Sequence, residues 1–268
     1  MNYSKIILAF LGIATITNAT QIVAINSKAD FVSSKVKVSE TEEKALNIDG
    51  NGNICSNKLF AIDSNKQYKI SLEYKFSSPA SKENLRFGFM QYDKKKVMIH
   101  PAQVLTNKGS ETTLTKELKF NDKIIYVKDA SKWKGNSSSH IALRVDASGK
   151  SRDLPNRALV PARIKKIEQK DGQYLIHLYS SARVNYPANT AIREHFSGWY
   201  GLGLLKLAPS PTWKKVSFTT TKGTTTLNSN MQWNKHTKYA SFFLMANCKN
   251  IQIKSIIIEE ITPKTNKK

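Results

Sequence analysis

The chain has 268 residues, 40% of them apolar, and carries a formal charge of +22. That apolar share is enough for a packed core and excludes a disordered chain, while the length allows one large β domain or two small ones. The excess charge is mostly lysine, dispersed with no arginine-rich stripe; this speaks against a nucleic-acid partner and leaves two readings, a solvated basic surface or a partner bearing sulfate, uronate or phosphate.

Residues 1–19 read as an export signal. Lys5 supplies the positive start, Ile6 to Ile16 form an uncharged apolar run, and Thr17-Asn18-Ala19 offer small residues for cleavage. The run is shorter than the roughly 20 residues that span a bilayer, and no later segment has transmembrane character. No cysteine near the cleavage position suggests a lipid anchor. The expected address is secreted or periplasmic.

Helical periodicity is nearly absent, and short β-rich runs separated by Asn, Gly, Ser, Asp and Lys turns dominate. The clearest strand is 67–76, where Tyr68, Ile70, Leu72, Tyr74 and Phe76 share one face and Lys69, Ser71, Glu73 and Lys75 the other. Residues 85–92 follow as a second strand, and Lys94-Lys95-Lys96 mark an exposed turn. The middle changes character: strands at 123–128 and 140–145, a polar stretch from Asp146 to Arg157, a hairpin from Arg163 to Ser180 turning at Lys170-Asp171-Gly172, and a closing strand at 190–195. Further on, 239–246 is apolar on both faces, like a central strand, and 251–258 forms the next one. These patterns predict an all-β fold: a sandwich from 20–120 plus 199–263, interrupted by a small β module at 121–198, with a loose tail at 264–268.

Cys55 and Cys248 are the two cysteines, each beside a strand-like run. In an exported chain they are expected to form a disulfide joining the two ends of the sandwich. Without closely spaced histidines they suggest no zinc site, and no metal ligands are assigned.

Two stretches resemble known modules. Ile62-Asp63-Ser64-Asn65-Lys66-Gln67-Tyr68-Lys69-Ile70-Ser71 resembles the second-strand region of carbohydrate-binding-module jelly rolls of families 4, 9, 16 and 22, where a turn often containing Pro-Gly-Lys precedes an alternating strand. Glu259-Glu260 stand where those modules usually carry Asp-Asp, a departure that bears on the structural calcium the resemblance would bring; no other cofactor is implied. Tyr126-Val127-Lys128-Asp129-Ala130-Ser131-Lys132-Trp133, then Arg163 to Ile167, then Tyr186-Pro187-Ala188-Asn189-Thr190, looks like a small β module of bacterial and phage surface proteins. The resemblance implies a jelly-roll β-sandwich with an inserted small β-barrel-like module.

No HExxH, GxSxG or P-loop motif is present. Arg193-Glu194-His195 is the most enzyme-like cluster, but in a strand Arg193 and His195 face one way and Glu194 the other, and a polar strand edge is the simpler reading. A jelly-roll polysaccharide lyase could draw on Tyr200, His195 and Arg193, without a recognisable motif. The aromatics point more clearly, because sugars present apolar faces to rings and hydroxyls to Asn, Gln and Arg. Trp199 and Tyr200 lie between Gly198 and Gly201, and Trp233 lies in the polar segment Asn230 to Asn234. Trp213 and Trp133 are expected in the cores. The ligand candidates are therefore Trp199, Tyr200 and Trp233, with Arg193 and His195 beside them, and no catalytic residue is assigned. The expected function is a secreted, non-catalytic carbohydrate-binding protein with an acidic polysaccharide as the suggested ligand. The alternatives are a structural or adhesive surface protein and, third, a polysaccharide lyase or glycoside hydrolase.

Overall fold

The computed structural model describes residues 17–32, 35–76, 83–226, 229 and 231–263. The expected signal up to residue 16 and the expected loose tail 264–268 lie outside them. The described residues contain no α-helix, only 3-10 turns at Lys28–Asp30 and Pro101–Gln103. The first seven strands are β1 (Thr17–Ile25), β2 (Phe31–Val32), β3 (Val36–Glu40), β4 (Leu46–Ser56), β5 (Phe60–Ala61), β6 (Gln67–Phe76) and β7 (Asn84–Tyr92). The middle of the chain supplies β8 (Thr112–Thr113), β9 (Ile124–Val127), β10 (Ser139–Leu143), β11 (Ile164–Lys170), β12 (Gln173–Leu178) and β13 (Ala191–Phe196). Then come β14 (Leu202–Lys206), β15 (Lys214–Thr219), β16 (Thr224–Thr225), β17 (Trp233–Asn234) and β18 (Tyr239–Pro263).

Ten strands make one antiparallel sheet organised by β18. Its first half lies between β7 and β4, pairing Phe242 with Phe89 and Phe243 with Cys55. Its second half lies between β6 and β1, pairing Ile258 with Ile70 on one side and with Val23 on the other. β15 extends the sheet beyond β6, and β14 beyond β7. The sequence suggested two strands, 239–246 and 251–258. They are one because β4 pairs continuously across the bulge between Cys248 and Ile251, where Asn250 takes a left-handed φ of 52°. Residues 17–19, expected at a cleavage site, stand opposite Ile261 to Pro263 in the same sheet.

The two halves of the sheet fold over one core. Tyr68, Ile70, Leu72, Tyr74 and Phe76 are all buried, as their alternation predicts, against Phe87, Phe89, Phe242 and Leu244. Phe89 of one half meets Phe218 of the other edge-on at 6.3 Å. Two glycines allow the close approach of β14: a Cβ on Gly88 would lie 2.2 Å from the Leu202 carbonyl oxygen, and one on Gly203, at φ +86°, 2.3 Å from the Phe218 ring.

A second core lies in the middle of the chain, built on Leu114, Leu118, Ile125, Val127, Trp133, Ile141, Leu143, Ile176 and Ile192. Two three-stranded sheets, β10-β13-β8 and β11-β12-β9, enclose it. Leu114 and Leu118 precede the expected module start at 121, so this core draws on an earlier stretch of chain. The β11–β12 hairpin turns at Asp171-Gly172 with φ of 51° and 74°, the two left-handed residues that such a tight loop requires.

The expected disulfide is not formed: both cysteines are free. In the β4–β18 ladder Cys55 faces Phe243, whereas Cys248 faces Gly50. Five residues along a strand separate them by about 16 Å, far beyond the ~7 Å that a disulfide spans. Burial, with Glu83 and Asp49 nearby, pushes the Cys248 thiol up to about 12, and burial also raises Cys55. Neither thiol has the lowered pKa of a reactive cysteine.

Candidate functional site

The chain leaves the second core at Phe196, whose N–H donates to Leu105 O, and re-enters the first at Leu202, which is fully buried. The short link between these anchors carries Trp199 and Tyr200. Gly201 sits against the Phe243 ring, where a Cβ would come within 2.8 Å. With its ends held and its backbone pressed onto Phe243, the link turns both rings outward: Trp199 is 48% exposed and Tyr200 40%. The Arg86 guanidinium stands 5.1 Å from the Trp199 ring centre, and His100 meets Tyr200 edge-on at 4.7 Å.

These rings border a shallow recess with only about 20 Å³ of room for water-sized molecules. Gln91, Ser229, Gln232 and Asn234 supply its polar wall, and Ile99, Pro101, Val104 and Leu105 its apolar one. Gln91 is set in place by its Oε1, which accepts from Asn234 N and Thr237 Oγ1, both at 2.8 Å. Burial keeps the His100 imidazole below its usual pKa, and its Nδ1 accepts from Ala102 N at 3.1 Å. Rings beside amide side chains suit a flat molecule with an apolar face and polar edges.

Trp233 does not join this platform. It is fully buried, 5.1 Å from the Phe89 ring and 5.7 Å from that of Tyr68. Its polar neighbours misled the sequence reading because they are hydrogen-bonded to the loop itself and to β7. Asn234 Oδ1 accepts from His236 N, and Asn234 N donates to Gln91. Gln232 and Asn234 do line the recess, one residue to either side of the buried ring. Trp213, expected in the core, is instead half-buried beneath the ammonium groups of Lys254 at 4.0 Å and Lys75 at 5.1 Å. Trp133 is buried in the second core, as expected, with Nε1 donating to Ser110 O at 2.8 Å.

Arg193 and His195 are also corrected as ligand contacts, since both have no exposed surface. Strand alternation does put them on one face with Glu194 on the other, but β13 is the central strand of its sheet and not an edge. Arg193 Nε donates to His195 Nε2 at 3.0 Å, and Arg193 Nη2 donates to Asp153 Oδ2 at 2.8 Å. His195 Nδ1 lies 2.7 Å from Ala102 O, so this nitrogen carries the proton and the ring is neutral. Burial first, then Arg193, depress the His195 pKa to about 4. On the opposite face Glu194 accepts from Gly135 N, Lys134 N, Ser139 Oγ and Asn107 Nδ2 at 2.6–2.8 Å. The lyase-like trio of Tyr200, His195 and Arg193 is thus divided between the surface and the interior.

Arg86, His100 and Gln91 went unnoticed in the sequence. The one local signal was a charged or amide side chain within the otherwise apolar run 85–92. Among the described residues no group of three or more His, Cys, Asp or Glu could hold a metal ion, and no helix is long and apolar enough to cross a membrane. No protein-family profile, curated protein or solved structure matches the chain.

Proposed function

We propose that this is an exported, non-catalytic carbohydrate-binding protein that holds its ligand at Trp199 and Tyr200, with acidic polysaccharide as the favoured class. The observation that carries the reading is the adjacent pair of half-exposed rings at the edge of an amide-lined recess. Arg86 beside Trp199 adds a donor suited to hydroxyl or carboxylate groups. The net charge of +22 supports the acidic preference. Export rests on the apolar, charge-flanked start of the chain.

The test is a set of binding isotherms on alginate, a sulfated galactan and a neutral glucan at low and high salt. Trp199→Ala should weaken binding by about 1–3 kcal/mol and leave the melting temperature unchanged, as for a stacking contact outside the core. Added salt should weaken binding of the two acidic polymers and spare the neutral one. A second reading, a structural or adhesive surface protein, draws support from the loss of Trp233 to the core, which leaves two rings where three were expected. Folded protein that binds none of the three polymers would favour it.

A further inference from the structure

A second concavity, with about 500 Å³ of room for water-sized molecules, lies between the two cores. Lys94 and Lys95 line it from the turn after β7, Arg157 from the second core's side, and Lys235, His236 and Lys238 from the turn between β17 and β18. Among the described residues Asp93 is its one carboxylate, and that charge is already engaged. Its Oδ2 accepts from Arg157 Nη2 at 2.9 Å, and its Oδ1 accepts from Lys95 N at 2.8 Å and Val97 N at 3.0 Å. Lys94, Lys95, Lys235 and Lys238 form no ion pair among the described residues. Some lysines elsewhere find carboxylates, as Lys66 does with Glu260 and Lys254 with Glu73, but many others among the described residues are unpaired too; what sets the cleft apart is that its lysines line one concavity. His236 adds a buried Nε2 with no hydrogen-bond partner among the described residues. Four unpaired ammonium groups around one concavity focus a positive field that a flat lysine-rich surface does not.

The cleft adjoins the aromatic recess along the chain. Asn234 and Gln91 line the recess, while Lys235, His236 and Asp93 line the cleft. We infer that the cleft binds the sulfate or carboxylate groups of an acidic polysaccharide, one sugar of which stacks on Trp199 and Tyr200; this rests on the carbohydrate reading above. Leu154 and Pro155 give the cleft an apolar wall for the sugar ring that bears the anion.

The test compares two full-length variants of equal net charge. One is Lys95→Ser/Lys235→Ser/Lys238→Ser in the cleft, and the other is Lys123→Ser/Lys165→Ser/Lys170→Ser on the second core's exposed strands and hairpin. All six lysines are exposed, and melting curves check that both variants fold. Each exposed ion pair contributes about two- to threefold, so the cleft variant should bind sulfated galactan about tenfold more weakly at low salt, with the control changed by about twofold or less. Neutral glucan should bind both variants as it binds the parent. Equal losses in the two variants would overturn the inference and leave diffuse charge as the cause. Sulfated galactan that depends on the cleft but not on Trp199, with no neutral glucan bound, would uphold the anion site while sinking the stacking reading. Cleft-dependent binding of single-stranded DNA as tight as that of the galactan would overturn the assignment to saccharide.

Discussion

Strands β18 and β13 each run through the centre of a sheet and each contain a stretch of three fully buried residues, yet in one these are Phe242, Phe243 and Leu244 and in the other Arg193, Glu194 and His195. The first kind of burial is non-directional: its strength follows the apolar area removed from water, and neighbouring rings adjust to one another. The second holds only while every donor and acceptor is matched, because an orphaned polar group in the interior costs its full desolvation. The sandwich is therefore held by volume and the second core partly by connectivity. Glu194 ties the 134–139 turn and Asn107 to β13, and Arg193 ties in the polar loop at Asp153.

The comparison is broken most severely at Glu194. Glu194→Ala would remove the acceptor shared by two backbone N–H groups, the Ser139 hydroxyl and the Asn107 amide, the last two keeping a partner each in Asn136 and Lys132, at about 1–3 kcal/mol for each donor left unsatisfied and about 3 kcal/mol or more in total. Loss of the second core's dispersed resonances in an NMR spectrum, with the sandwich signals retained, is the expected result. In the sandwich, Trp233→Ala should cost about 3–5 kcal/mol by leaving a cavity between Tyr68 and Phe89, read as a lower urea midpoint. If Trp233→Ala left stability unchanged, the ring would not be a core element.

A third effect follows from His195, whose pKa falls from about 6.5 in the unfolded chain to about 4 in the native one. Between those values the unfolded chain takes up a proton that the native chain refuses. Stability is therefore full above pH 6.5 and is lost progressively as the pH falls towards 4, by about 3 kcal/mol from this residue. His140, held by Ser197 Oγ at 2.7 Å and also depressed to about 4, acts in the same direction. Urea midpoints of the parent and of His195→Gln between pH 7.5 and 4 should converge as the pH falls. The smallest effect expected is none. With free thiols at Cys55 and Cys248, a reducing agent should leave the melting temperature where it is, and mass spectrometry of the alkylated, non-reduced protein should find both thiols modified.

Local periodicity by itself determined the all-β class, the buried face of 67–76 and the Asp171-Gly172 hairpin, because strand alternation and left-handed turns are properties of neighbours in sequence. The position of Trp199 and Tyr200 between glycines was legible for the same reason. What tertiary structure alone decided concerns residues far apart in the chain. Register put Cys55 and Cys248 at different levels of one ladder, and continuous pairing with β4 merged two expected strands into β18. Polar flanks bonded to the loop and to Gln91 let Trp233 sink into the core. Partners some forty and more residues away, Asp153, Ala102 and Asn107, made the interior habitable for Arg193, Glu194 and His195. A polar residue's fate depends on whether long-range partners can satisfy it once water is gone, and that is a property of the packed fold and not of the local sequence.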